Sequence, residues 1–575
     1  MERLLSLDAD EARDARVVGV KAAGLARARV AGLPALIGWV VPAGEGNEAG
    51  RIGAEALRRR GPAAACLAVG ELELDGPLRR DLRAVLNVRG GSAIVRSSSE
   101  RDADPRWAGA FASYLDVGSA DVPTAVLGCW ASAFSRDAVA RGAALGVSPE
   151  LLRLAVLVQP WVAFDGGGTA EIASDGWVRI AAATGAPSDL VRGRRPGALY
   201  GVAPDGTVTG EAEPEQLKPE VLRAVASLAR DTARATGYDA IEWGMSEGRI
   251  VLLQARPRAN RNAPSRPRRP RPMPAGMERI ARLATRFPAP LGERLVLPWA
   301  VSLEEVPEWQ PIVLDPNAAL DEALRLADEL AAYAWGERGD ADEVAASFRA
   351  LLGEQPEAGL ARLARSRPVH PAKASRLLGL VAGIGDELLA RGRLSHSHHV
   401  WRLSPEELER AVSSSAWSPP ARLGPDRWEP VVFETVMTHG RSRSGAPAAP
   451  GVGAGPLFLL DGRTVRSHPL PRAVLAVREP LPHLAPLLWN RAGLVAASGS
   501  QAAHLFEVAR SLGVPAVLGV DVARLVEAAE EGTLVAVDGH AGEVSVLPAR
   551  EAGEASIRAG VGSLGPGAHA RRRAG

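Results

Sequence analysis

Between residues 256 and 273 the chain reads RPRANRNAPSRPRRPRPM, a run of proline and arginine without apolar periodicity. Proline withholds backbone donors and guanidinium groups stay hydrated, so such a run reads as an exposed linker rather than part of a packed core. In a chain of 575 residues, far more than one hydrophobic core can organise, a break of this kind separates domains. A second interruption, RSRSGAPAAPGVGAG at 441 to 455, reads as a further linker. The expected layout is an N-terminal domain over 1–258, a linker over 259–274, a helix-rich domain over 275–440, a β-rich domain over 441–550 and a disordered tail over 551–575.

The middle segment carries the clearest helical pattern. In ALDEALRLADELAAYAW, apolar residues recur three and four apart with acidic residues between them. Ser404, Pro405 and Glu407 spell a capping box with proline at the first helical position. After 441 the text changes to short β-like runs, LFLL, AVLAV, GLVAAS, PAVLGV, TLVAVD and EVSVL, with one helix between two of them. His396, His398 and His399 cluster without cysteine or acidic partners and read as solvated. The fold class expected is α+β multidomain.

Composition excludes several functions. With a net charge of +1 no global field draws in nucleic acid or an anionic membrane. Two cysteines are too few for a disulfide framework, and the charged start MERLLSLDADEARDAR is unlike a secretory leader. A cytoplasmic protein is expected, without membrane or nucleic-acid partners. Of 68 basic residues only Lys21, Lys218 and Lys373 are lysines. A lysine kept in so arginine-rich a chain suits a compact, flexible point charge of the kind that reaches a phosphate.

The most informative stretch is GSQAAHLFEVARSLGVPAVLG, 499 to 519. A strand leads to Gly499, a helix follows and stops at Gly513, and Pro515 enters the next strand. His504 falls in the first turns of that helix, where the dipole disfavours imidazolium and backbone amides can receive a phosphoryl group. Periodicity alone also accommodates a structural histidine beside Leu505, Val508, Ala509 and Leu512.

This stretch resembles the phosphohistidine motif of the phosphoenolpyruvate synthase and pyruvate phosphate dikinase superfamily. Gly499, His504, Ala509, Arg510, Gly513, Pro515 and Val517 match without a gap. Ser500, Ala503 and Glu507 depart from it, the last standing where the family is usually apolar. PGVGAG at 450 to 455 and VDGHAGEVSVL at 537 to 547 resemble the same domain's entry turn and closing strands. RGRLSHSHHVWRLSPEELERAV, 391 to 412, resembles a segment between the two conserved domains of rifampin phosphotransferase and related proteins.

The N-terminal segment resembles the superfamily's ATP-grasp-like nucleotide domain in order. VGVKAAGLARARVAGLPALIGWVVPA places Lys21 at the nucleotide-phosphate lysine, and AIVRSSSERDADPRWAGAF places Arg96 at an arginine that contacts ATP phosphates. CWASAFSRDAVAR matches a structural helix, and VLVQPWV puts Gln159 near the adenine. DAIEWGMSEGRIVLLQARP sets Glu242, Gln254 and Arg256 on paired strands with a turn near Glu247 and Gly248. The resemblance implies Glu242 and Gln254 as Mg²⁺ ligands and Arg256 as a neutraliser of transferring charge. Where the family has a glycine-rich segment ending in glutamate, TGAPSDLVRG leaves Asp189 or Glu171 as the available carboxylates.

Taken together, the resemblance implies an ATP-dependent phosphotransferase of dikinase type, yielding AMP and phosphate. A swivelling β/β/α phosphohistidine domain turns about 441 to 455 and relays phosphate through His504, with Arg256 and Lys21 assisting, to a small-molecule acceptor in the helical domain. No room remains after 548 for the (β/α)₈ barrel that takes phosphoenolpyruvate. A phosphohistidine-dependent ATP ligase and a catalytically degenerate nucleotide-binding homologue are the alternatives.

Overall fold

The computed structural model describes residues 3–87, 91–185, 187–192, 197–210, 217–257, 270–303, 305–336, 341–394, 397–414, 417, 427–460, 472–527 and 533–549. The arginine-proline run from 258 to 269, His396 and the tail from 551 lie outside these residues. Among the described residues the fold mixes helix and sheet in several units, and no helix is long and apolar enough to cross a membrane.

Two antiparallel sheets organise the first 257 residues. Five strands, running in the spatial order Leu5–Ser6, Trp39–Val41, Ala155–Pro160, Ser92–Ser98 and Ser113–Gly118, make the first. Six make the second, from Arg249–Arg256 through Ala240–Ser246, Gly166–Ile172, Val178–Thr184 and Ala198–Val202 to Val208–Gly210. The helix Ala15–Val30 packs its alanine-rich face into the core beneath the second sheet, beside Ile241, Trp243 and Leu252. Its regular path breaks at Gly19, whose φ of 74° and close approach to Ser98 admit no side chain: a Cβ there would sit 2.3 Å from the Ser98 carbonyl carbon.

The hairpin Ala240–Ser246 and Arg249–Arg256 is closed by two residues, Glu247 and Gly248, both with positive φ. That geometry gives a two-residue turn whose twist matches the flanking strands. Its register sets Glu242 opposite Gln254 and Ala240 opposite Arg256. On the other side Ala240 faces Glu171 and Glu242 faces Thr169. Because alternate residues share a face, Glu171, Arg256, Glu242 and Gln254 all rise from one side of the sheet.

From Met277 to His439 the described regular structure is helical. The capping box at Ser404 forms as the sequence requires, Ser404 Oγ accepting from the Glu407 N–H and Glu407 returning a bond to the Ser404 N–H at 2.8 Å. His399 is buried within the short helix Ser397–Arg402, which corrects the expectation that it is solvated. Burial follows from the neighbours Val400 and Trp401, which anchor that helix in the apolar core.

The C-terminal sheet has eight strands, and the segment read as the linker from 441 to 455 supplies or begins three of them. Arg441–Ser444 pairs with Glu543–Leu547, Ala446–Ala449 with Ala516–Leu518, and Val452–Leu460 with Leu534–Asp538. Its glycines and prolines misled because edge and close-packed positions tolerate them; a Cβ on Gly453 would sit 2.0 Å from the Ala492 carbonyl oxygen. Most of 441 to 455 is thus paired into this sheet rather than standing as a free linker. The helix Glu429–His439 lies on this sheet, and Ala454, Leu534, Ala536 and Leu547 belong to the same apolar cluster as Val432, Val436 and the other middle helices.

Candidate active site

A cavity of ≈ 490 Å³ opens between the N-terminal sheets and the C-terminal module. Lys21, Arg96, Gln254 and Arg256 line it from one side, and His504 and Glu507 from the other. Residues nearly five hundred positions apart in sequence thus face one space.

The cationic wall is held in place by the strands. Arg96, on the strand Ser92–Ser98, donates to Gln254 Oε1 at 2.6 Å and to the Leu253 carbonyl at 3.1 Å, and lies 3.5 Å from Glu242 Oε2. Lys21 Nζ contacts Asp102 Oδ1 at 2.8 Å and donates to the Ser97 carbonyl at 3.1 Å. Asp102 is fixed in turn by accepting the Ser99 N–H at 2.8 Å. Sequence comparison missed Asp102 and Asp104, both in the loop that lines the cavity; the only signal was their place in SSSERDADPRW.

Gln159 stands apart from these residues. Its amide is buried, donates to the Leu36 and Ile37 carbonyls at 3.2 Å, and is not part of the cavity wall. Of the two carboxylates offered for the altered glycine-rich segment, Glu171 shares the sheet face of Arg256, whereas Asp189 lies on the short helix Pro187–Val191. His439 closes the helix Glu429–His439 and meets Glu278 Oε1 at 3.3 Å, away from this site.

The opposite wall begins with the helix His504–Leu512, preceded by Ala503, which offers no capping side chain. His504 is therefore the first residue of the helix. Its Nδ1 lies 3.3 Å from Glu507 Oε2, one turn on, while Glu507 Oε1 forms an ion pair with Arg256 across the cavity. Glu507 is 2% exposed. Burial pushes its carboxyl upward, but Arg256, the His504 hydrogen bond and Arg510 outweigh that and hold it at about 2.

Close approach of the two walls depends on Gly109. Its φ is 67°, and a Cβ would sit 2.9 Å from Pro482 Cβ and 3.3 Å from His504 Cδ2. The fully buried Arg141 spans the same seam, donating to the Arg106 and Ala108 carbonyls at 3.0 and 2.7 Å and to the Pro482 carbonyl at 3.0 Å. Asp137 pairs with it at 2.8 Å.

Glu242 and Gln254 provide a buried carboxylate and a buried amide side by side. Among the described residues no group of three or more His, Cys, Asp or Glu gathers as a ready-made metal cage. One carboxylate with an amide oxygen is a donor set of the kind that Mg²⁺ takes together with substrate phosphates and water, and here Arg96 already donates to that amide oxygen.

Two family models match parts of the chain. Residues 73–206 match the pyruvate phosphate dikinase AMP/ATP-binding domain, and residues 469–542 match the mobile domain of PEP-utilising enzymes. Both matched stretches are thus similar to domains of the phosphoenolpyruvate synthase and pyruvate phosphate dikinase superfamily. Arg96 and Gln159 fall within the first match and His504 within the second, whereas Lys21, Glu242, Gln254 and Arg256 lie outside both. Nothing among curated proteins matches the chain. Among solved structures it is similar to holo aconitase X of Thermococcus kodakaraensis, with 19% identity over 19% of this chain and 99% of that one at a TM-score of 0.15. It is also similar to an Enzyme I protein, nEIt, with 16% identity over 45% of this chain and 91% of that one at a TM-score of 0.14. TM-scores this low bear no weight for fold or function.

Proposed function

We propose that this protein is an ATP-dependent phosphotransferase of dikinase type that passes a phosphoryl group from the nucleotide to His504 and then to a small-molecule acceptor. The observation that supports it most is the single cavity shared by His504 and the cationic residues Lys21, Arg96 and Arg256. Those cations would bind the polyphosphate and neutralise the charge spread over its oxygens during transfer. Mg²⁺ held by Glu242 and Gln254 would neutralise further phosphate charge.

His504 suits the acceptor role. It opens the helix His504–Leu512, so the amides of the first turn can donate to a bound phosphoryl group. A covalent intermediate lets nucleotide and acceptor use the same histidine in turn rather than meet directly. The acceptor then reaches the phosphorylated ring after the C-terminal module parts from the nucleotide domain.

The test is incubation of the whole protein with ATP labelled separately in the β and γ phosphates. One phosphoryl group should appear on His504 as an acid-labile, base-stable adduct, with AMP and inorganic phosphate as products. Absence of label on His504 overturns the relay, and accumulation of ADP alone overturns the dikinase stoichiometry.

A further inference from the structure

Glu507 is a buried acid in the first turn of the helix that His504 opens, and nothing in the relay described so far requires it. Both of its oxygens are engaged, Oε2 with His504 Nδ1 at 3.3 Å and Oε1 with Arg256. His504 Nε2 has no hydrogen-bond partner among the described residues, and the ring lines the cavity. Arg256 Nε is buried without a partner as well, a donor still open beside the Glu507 pair. A buried carboxylate costs free energy unless charges compensate it, so this one is paired on both sides.

We propose that Glu507 is the positioning residue of the relay, holding His504 with its proton on Nδ1 so that Nε2 takes the phosphoryl group, and joining ring and Arg256 into one array. The inference rests on the reading of His504 as a phosphoryl carrier. It then explains which nitrogen reacts. A carboxylate accepts a hydrogen bond and never donates one, so the nitrogen facing it carries the proton and the far nitrogen keeps its lone pair.

The Nε2 lone pair forms the N–P bond at the β phosphorus, the α–β P–O bond breaks, and its electron pair leaves on the phosphate oxygen of AMP. Water then cleaves the β–γ bond, releasing inorganic phosphate and a proton and leaving one phosphoryl group on the ring. The ring becomes a phosphoimidazolium whose Nδ1 proton stays in place, and the Glu507 carboxylate faces the new positive charge. On transfer an acceptor oxygen forms the new P–O bond and gives up its proton to solvent, while the N–P bond breaks and its electron pair returns to Nε2, restoring the neutral ring. Arg256 can pair with Glu507 and offer its remaining donors to the phosphoryl group, so docking of the C-terminal module is tied to the phosphate site.

The experiment reads the His504 tautomer in the full chain without nucleotide, by long-range proton–nitrogen NMR on ¹⁵N-histidine protein at pH 8. His504 is assigned by its loss in His504→Gln. The wild type is expected to carry the proton on Nδ1, Glu507→Gln to keep that tautomer through its amide oxygen, and Glu507→Leu to lose the preference. In ATP labelling, Glu507→Gln is expected to phosphorylate about ten- to a hundredfold more slowly with its tautomer retained, the separation expected of lost charge with retained geometry. An Nε2-protonated wild type, an unchanged tautomer in Glu507→Leu, or a wild-type rate in Glu507→Gln overturns the assignment. If Glu507→Leu fails to fold, the wild-type tautomer and the Glu507→Gln rate decide it. Because the tautomer is read before ATP is added, its failure is distinguishable from a wild-type His504 that takes no label.

Discussion

Lys21 Nζ lies 2.8 Å from Asp102 Oδ1, with the two side chains 16% and 7% exposed, so the ammonium at the mouth of the cavity already rests against a carboxylate. An incoming phosphate would take over a charge that is held in position rather than one that must be ordered from solvent. Lys21→Met is expected to slow His504 phosphorylation by about a hundredfold or more, as for removal of one electrostatic donor in a preorganised site. The rate of label incorporation at saturating ATP measures it, and a loss confined to the ATP concentration needed for half-maximal rate points instead to uniform binding.

Gly109 lets two modules touch. Gly109→Ala introduces a Cβ against Pro482 and His504 and places alanine at positive φ. The expected result is a cost of about 1 kcal/mol in thermal unfolding, the usual penalty for a side chain in the left-handed region, together with a large fall in His504 labelling. Wild-type labelling in this variant rules out the docked geometry as the reactive one.

Removal of Arg141 tests the other half of the seam. This cation is fully buried, and Asp137 is its only carboxylate partner within 4.0 Å among the described residues. Burial pushes the Asp137 carboxyl upward while Arg141 draws it down. Arg141→Leu leaves Asp137 without its cation and is expected to destabilise the N-terminal domain by about 3–5 kcal/mol, measured by denaturant unfolding. Arg141→Leu with Asp137→Asn is expected to recover part of the loss.

Acid should part the modules late. Glu507 is held at about 2, below the ordinary carboxylate value of 4.5, so its ionisation favours the folded, docked state. That contribution is complete above about pH 4.5 and is lost as the pH falls toward 2. The difference in melting temperature between wild type and Glu507→Gln is expected to stay constant from pH 8 to about 5 and to shrink below it. A difference that grows on acidification contradicts the assignment.

The legible parts were those with local rules. The capping box at Ser404, the turn at Glu247 and Gly248 and the helix stop at Gly513 depend on neighbours in sequence, and each appears where the residues require it. The pairing of Glu242 with Gln254 followed from the hairpin, because a fixed turn fixes the register. What could not be read was long-range. Arg441–Ser444 looks like a linker because an edge strand exposes its arginines, and its partner is a hundred residues away. Glu507 looked like a mere departure until Arg256, 251 positions earlier, came to lie against it. Gln159 shows the converse: its motif was plain, yet its amide is spent on two backbone carbonyls.

The apolar cluster that runs from the middle helices into Ala454, Leu534, Ala536 and Leu547 sets what can travel. Across the nucleotide seam the contacts are ionic, glycine-mediated or made by small side chains such as Ala108 and Ala502, whereas the helical side is welded by a common greasy interior. The cheaper separation is along the first boundary. In the proposed relay the histidine would then ride as cargo on a rigid body of sheet plus helices, and the stroke would belong to the nucleotide domain swinging off it.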